Sequence, residues 1–416
     1  MDARDDPVRA APGALLLPAG LALLAGLYAG LARIGWGVPA LPVAPPADHG
    51  PLMVGGFLGT LITLERAVAL GHGPDRAGGT ATDAQSGRRR SGAAALGRRG
   101  GFAFPALAGL GALALLAGGA WAAAGPVLIT AASGGLVGLS LAITRRQPAL
   151  HHVALSLGAA SWLAGNLAWL AGWPVFRLVP WWIAFLVLTI AGERLELSRV
   201  LRPGPASRAA FAVAMAALLA GPALAGAAPA AGDRVLGVAL LATAAWLFRY
   251  DVTRRTIRQR GLTRYIAVAM LSGYAWLAAA GVLFGVEAGR LVGGPPYDAA
   301  LHAVFVGFVF SMIFGHAPII LPAVTGLAMA YRRSFYAHLA LLHASLVLRV
   351  AGDLGGWWAV RRWGGLLNAA AILLFVAATA TSVRRRAGRS AAIARPRAAV
   401  PGIPARAPSA APAPRA

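Results

Sequence analysis

The residues able to do chemistry in this chain are few. Its 416 residues include no cysteine and eight histidines. Disulfides, iron–sulfur clusters, thiolate zinc sites and cysteine nucleophiles are therefore excluded, and any metal must be held by His, Met or carboxylate. Two histidines stand at the heads of apolar runs: His49 in DHGPLMVGGFLGTLITLER and His302 in YDAALHAVFVGFVFSMIFGHAPIILPAVTG. Each has an acid close by, Asp48 adjacent to His49 and Asp298 one helical turn before His302. A carboxylate that accepts the second ring N–H is the usual support of a ligating His. Two imidazoles from separate helices at one depth give a bis-imidazole haem geometry or half of a copper site. The same residues also suit two interfacial histidines that cap helices and face water. If they share a metal, their ring nitrogens should face each other about 4 Å apart, twice a metal–imidazole bond of about 2 Å.

His316 lies 14 residues beyond His302. At about 1.5 Å per residue, that is roughly 21 Å along a helix, so one metal cannot touch both. His316 therefore belongs to a second layer, where His338 and His343 are the other metal candidates and His151 and His152 are further members. Glu65, Arg66, Glu193 and Arg194 fall at similar depth. This layer would bind copper, relay protons or pair internally. Pairing of the two glutamates with Arg66 and Arg194 is the preferred reading for them, because charges inside a membrane bundle usually pair with one another. Pro318 and Pro322 would bend or end the helix after His316. Met53 and Met312 read as packing, and His72 has no assigned role.

The elements that must position these residues are membrane helices. The chain is 58% hydrophobic with a mean hydropathy of +0.66. Only 12% of residues are charged, about half the share of a soluble domain. An apolar run of about 20 residues spans a bilayer. That ruler gives twelve spans, over 12–33, 50–71, 102–124, 126–144, 150–172, 178–196, 208–227, 233–250, 263–284, 297–320, 335–351 and 363–383, with a short joint near Gly125–Pro126 between the third and fourth. The fold class is all-α integral membrane protein, and the partner it implies is the lipid bilayer.

The net charge of +24 comes from 38 basic residues, every one an arginine. They sit between apolar runs rather than in a basic stripe, which excludes nucleic acid as a partner. They concentrate in alternate joints, after spans 2, 4, 6, 8, 10 and 12, with Arg361 and Arg362 against the pattern. By the positive-inside rule this places both termini in the cytoplasm and the membrane domain over 12–383, behind a cytoplasmic tail of residues 1–11. Residues 73–100 read as a mobile cytoplasmic loop and 384–416 as a disordered basic tail drawn to anionic head groups.

A repeat constrains the architecture. Phe57 is followed eight residues later by Glu65, Phe185 by Glu193, and Phe308 by His316. These pairs lie in spans 2, 6 and 10, so the apparent period is four helices. The spacing predicts three pseudo-symmetric arcs of four helices, with spans 2, 6 and 10 in equivalent places.

Twelve spans, this repeat, and His on spans 2 and 10 resemble the haem–copper oxidase subunit I superfamily. The strings around His49 and His302 more closely resemble the NnrS family of twelve-span bacterial membrane proteins. That resemblance implies a haem- and/or copper-binding protein of the bacterial inner membrane. It implies nitric oxide or nitrogen-oxide metabolism, denitrification or the associated stress response, with redox proteins as partners, and His49 and His302 as haem ligands. The chain departs from both patterns. Spans 6 and 7 contain no His, and position 304 is Val where oxidases place a second His, so reduction of oxygen by the oxidase mechanism is excluded. Span 2 carries one His where the NnrS pattern has several.

The competing expectation is a twelve-helix secondary transporter of a small solute. The joint GHGPDRAGG (Gly71, Asp75, Arg76, Gly78) is similar to a loop of major facilitator transporters. That class, however, repeats by six helices and has a long joint after the sixth. The sequence alone assigns no enzymatic activity.

Overall fold

The computed structural model describes residues 13–39, 45–71 and 100–384. The expected N-terminal tail, His72, the 73–100 loop up to its last residue and the basic tail beyond residue 384 lie outside the described residues. The helices are α1 (Leu16–Arg33), α2 (Pro46–Ala69), α3 (Ala103–Ala117), α4 (Ala124–Arg146), α5 (Leu150–Leu170), α6 (Val175–Leu197), α7 (Pro205–Ala225), α8 (Pro229–Tyr250), α9 (Gly261–Val286), α10 (Gly294–Thr325), α11 (Phe335–Gly355) and α12 (Trp358–Ser382). Eleven segments are long and apolar enough to cross a membrane, and α3 is shorter. The chain is an all-α multi-pass membrane protein.

The expected third span, 102–124, needs correction. Its helix stops at Ala117 because Gly118 and Gly119 both take positive φ, 66° and 54°, which favours glycine and ends the helix. A single 3-10 turn, Gly119–Trp121, leads into α4. The break therefore falls at Gly118–Gly119 rather than at Gly125–Pro126. Pro126 sits inside the first turn of α4, where its missing N–H would have had no helical partner.

The packing follows arcs of four. Within each arc successive helices pair, the first touches the third, and the second touches the fourth, for α1–α4, α5–α8 and α9–α12 alike. α4 packs on α5 and α8 on α9, while α12 meets α1 more sparsely. α2, α6 and α10 are the most buried of the membrane-length helices, and side chains link each of them to the other two. They form the centre of the molecule.

Small residues bring neighbours close to these central helices. A Cβ on Gly307 of α10 would lie 2.4 Å from Trp276 of α9, and one on Gly158 of α5 would lie 3.0 Å from the Phe185 carbonyl of α6. Such close approach is how membrane helices gain packing when burial from lipid contributes little. The repeat phenylalanines take part: Phe185 stacks on Trp162 of α5 at 5.0 Å, and Phe308 lies 6.5 Å from Tyr274 of α9.

Two latches close the α12–α1 seam and the C-terminal end. Trp36, just past α1, donates from Nε1 to the Arg362 carbonyl at 3.1 Å and meets the Trp363 ring edge-on at 5.3 Å. Beyond α10 and α12, Ala328–Met329 pairs antiparallel with Val383–Arg384.

Candidate functional site

The site begins where α2 and α10 depart from regular helix. Leu52–Leu58 and Ala303–Phe310 are π-helical, each beginning within three residues of its histidine. π-helical turns widen a helix locally and recur at functional sites. Here one occurs in each of the two helices that carry the candidate ligands, at corresponding places in two arcs.

The two imidazoles come together. The His49 and His302 ring centroids are 6.2 Å apart and their planes lie within 19° of parallel. Phe57 and Phe310 repeat the parallel arrangement deeper between the same helices, at 6.0 Å and 19°.

Each ring is held through Nδ1. His49 Nδ1 donates to the Gly26 carbonyl of α1 at 2.7 Å. His302 Nδ1 donates to the Asp298 carbonyl at 2.8 Å and lies 3.3 Å from Asp298 Oδ1. A donating Nδ1–H leaves the Nε2 lone pair of a neutral imidazole free for a ligand. Neither Nε2 has a hydrogen-bond partner among the described residues. Asp48 is not the support expected for His49; the α1 backbone takes that place, because α1 packs directly over the ring. A Cβ on Gly30, one turn along α1, would lie 2.9 Å from His49 Cε1.

Asp298 also anchors a charged shell. Arg349 of α11 donates to both its carboxylate oxygens, Nε to Oδ2 at 2.8 Å and Nη2 to Oδ1 at 3.0 Å. Arg361 lies 3.7 Å from Asp298 and 2.7 Å from Asp353. Arg362 stacks over Trp36, 4.6 Å from its ring centre. Thus the two arginines that break the charge alternation are both engaged within the fold. Neither Arg349 nor Asp353 was found by sequence reasoning; both sit among the apolar residues of α11, where a charge was itself the available signal.

Both histidines line two cavities. One, about 110 Å³, is walled by apolar groups including Leu27, Met53, Phe305 and Ile372. The other, about 380 Å³, is bordered by Arg33, Asp298, Arg349 and Arg361. The larger volume falls in the range of small-molecule sites, roughly 300–1,000 Å³. Two imidazole Nε2 lone pairs near arginines that suit carboxylates are a donor set of the kind a haem takes. Met53 beside the two imidazoles fits copper(I) as well.

The second layer is largely a set of pairs. Arg66 of α2 hydrogen-bonds Glu193 of α6, across the arcs, with Glu65 beside them. Glu193 thus takes Arg66, one of the two arginines expected to pair with the glutamates. Arg194 binds both carboxylate oxygens of Asp251, at 2.6 and 2.8 Å. Asp251 follows α8 in an arginine-rich joint and was missed. His316 Nε2 accepts from Arg194 at 3.2 Å, and its Nδ1 donates to the Met312 carbonyl at 2.9 Å.

His316, His338 and His343 do not assemble into one metal centre. His338 Nε2 meets the Tyr265 hydroxyl at 3.0 Å. His343 Nδ1 accepts from Trp276 Nε1 at 3.0 Å. Among the described residues, three metal-ligating side chains converge at one place only, His151, His152 and Glu196.

Fold and site together define a polytopic α-helical membrane protein with three central helices and a half-buried imidazole pair between two of them. The family model described as a domain of unknown function, DUF8744, matches residues 13–384, and the chain belongs to that family. No curated protein matches it.

Proposed function

We propose that this is an NnrS-like membrane protein that binds haem and/or copper between α2 and α10. It would act in nitric oxide or other nitrogen-oxide metabolism, or in the response to that stress. The observation that carries the reading is the His49–His302 pair: parallel rings 6.2 Å apart, each fixed through Nδ1, on a shared cavity. The nitrogen-oxide context rests on the resemblance of the two helices to the NnrS family.

His49 and His302 would hold the group through Nε2, with Arg33, Arg349 and Arg361 toward its carboxylates. A haem held by both imidazoles would supply one-electron transfer. The Gly26 carbonyl and Asp298 keep both rings in the ligating tautomer, and the Asp298–Arg349 pair holds α10 against α11. Electron transfer of this kind calls for redox partner proteins. The setting we infer is a bacterial-type inner membrane with both termini in the cytoplasm. Arcs of four weigh against the major facilitator alternative, which is built from two halves of six.

The test is the visible spectrum and metal content of the detergent-purified protein from haem- and copper-replete cells. A Soret band that disappears in His49→Ala and in His302→Ala supports the reading. A colourless, metal-free preparation overturns it and favours transport of a small solute.

A further inference from the structure

At the opposite end of the central helices, α5 begins and α6 ends side by side. His151 and His152 lie in the first turn of α5, and Glu196 lies in the last turn of α6. One ligand atom from each comes within 4.8 Å of the other two. The two rings are close, with centroids 4.1 Å apart.

Three further features favour a ligand here. His152 Nδ1 donates to the Gln147 carbonyl at 2.7 Å, which leaves the Nε2 lone pair of the neutral ring available. His151 is 4% exposed, and its Nε2 is buried with no hydrogen-bond partner. A buried polar atom left without a partner is costly and calls for an explanation. Glu196 is exposed, so its carboxylate can close on an ion without disturbing the packing.

We propose that His151, His152 and Glu196 form a site for a divalent transition-metal ion, separate from the His49–His302 pair. Two imidazoles and one carboxylate are the donors that zinc takes in three-ligand sites with an open fourth position. Ligand atoms around such a tetrahedral ion stand about 3.4 Å apart, given bonds of about 2.0–2.1 Å, so binding draws the three groups inward by up to about 1.4 Å. The imidazole donors exclude magnesium and calcium as the preferred ions.

The charges around the site set its strength. Arg66 and Arg199 are the nearby cations. Arg66 is neutralised by Glu193. Arg199 has no such carboxylate among the described residues and opposes the ion, so its removal should tighten binding. Neither the geometry nor the ligands of this site involve the imidazole pair between α2 and α10, so the two proposals stand or fall separately.

The test uses the untagged full-length protein in detergent, stripped with a chelator and titrated with Co²⁺ and then Zn²⁺. We expect one equivalent of Co²⁺ to give visible ligand-field absorption that Zn²⁺ displaces. His151→Ala and Glu196→Gln should each weaken binding about tenfold or more, and Arg199→Ala should strengthen it. His49→Ala and His302→Ala should leave it unchanged. Unfolding temperatures of the variants distinguish lost ligation from lost fold. His151→Gln and His152→Gln, smaller changes in shape, provide a second set if alanine destabilises α5. Absence of the cobalt spectrum, or its persistence in a folded His151→Gln/His152→Gln double variant, overturns the proposal.

Discussion

Arg194 donates through Nη1 to His316 Nε2 at 3.2 Å while its Nε and Nη2 hold the carboxylate of Asp251. A guanidinium has no acceptor atom, so the imidazole nitrogen must accept. The other ring nitrogen then carries the proton that goes to the Met312 carbonyl. Both nitrogens of His316 are thereby committed.

His316 should accordingly be silent toward metals. His316→Ala is expected to leave haem or copper content at the wild-type level while lowering stability by about 1–3 kcal/mol, the cost of an unsatisfied buried donor on Arg194. His316→Gln, which keeps an acceptor, should recover part of that loss. Metal analysis together with thermal unfolding in detergent checks both statements, and a fall in cofactor content with unchanged stability would contradict them.

Asp251 should be among the most costly residues to truncate. Its side chain is fully buried, and Arg194 is 4% exposed. Asp251→Ala leaves a buried guanidinium unpaired, at a cost of about 3–5 kcal/mol. Arg194→Met combined with Asp251→Leu should be far milder, because both charges leave together. Denaturant or thermal unfolding of the two variants gives the comparison.

Gly30 tests the geometry of the imidazole pair from the α1 side. A Cβ there would meet His49 Cε1 at 2.9 Å and Nδ1 at 3.0 Å. Gly30→Ala should displace the ring, and Gly30→Val should do so further. Progressive loss of the absorption proposed for the bound group, with overpacking costs of about 1–3 kcal/mol, is the expected result. Unaltered spectra in Gly30→Val would show that the ring position does not matter.

Asp298 is predicted to couple α10 to α11. Asp298→Asn and Arg349→Met, measured singly and together by unfolding, should show an interaction energy of about 0.5–3 kcal/mol. Asp298→Asn should also loosen His302, whose Nδ1 lies 3.3 Å from the carboxylate. A strictly additive cycle would rule out the coupling.

Much of the architecture was legible in the sequence, and for identifiable reasons. Apolar runs of bilayer length marked the helices, and the Phe57–Glu65, Phe185–Glu193 and Phe308–His316 spacings picked out the three that stand in the centre. The histidine pair was legible because two imidazoles headed corresponding spans. What escaped was whatever depends on neighbours distant in the chain. Asp48 was the acid nearest to His49 in sequence, yet the Gly26 carbonyl, 23 residues away, takes the proton. Arg66 finds Glu193 rather than its adjacent Glu65. The π-helical turns escaped because apolar periodicity assumes 3.6 residues per turn, and in helices apolar on every face no pattern betrays a change of winding.

The seam between α12 and α1 sets an order of events. The cavity beside His49 is walled by Gly30 and Leu31 from the first helix, Arg349 from the eleventh, and Asn368 and Ile372 from the last. Residues made first must therefore wait for those made last, while the α4–α5 and α8–α9 contacts can form as synthesis proceeds. The Trp36 indole takes its partners, Arg362 and Trp363, only at that final stage. A chain cut short before α12 would carry both histidines on inserted helices and still have an open wall beside them. Closure of the cavity wall is thus a post-synthetic step, reached only when the last helix meets the first.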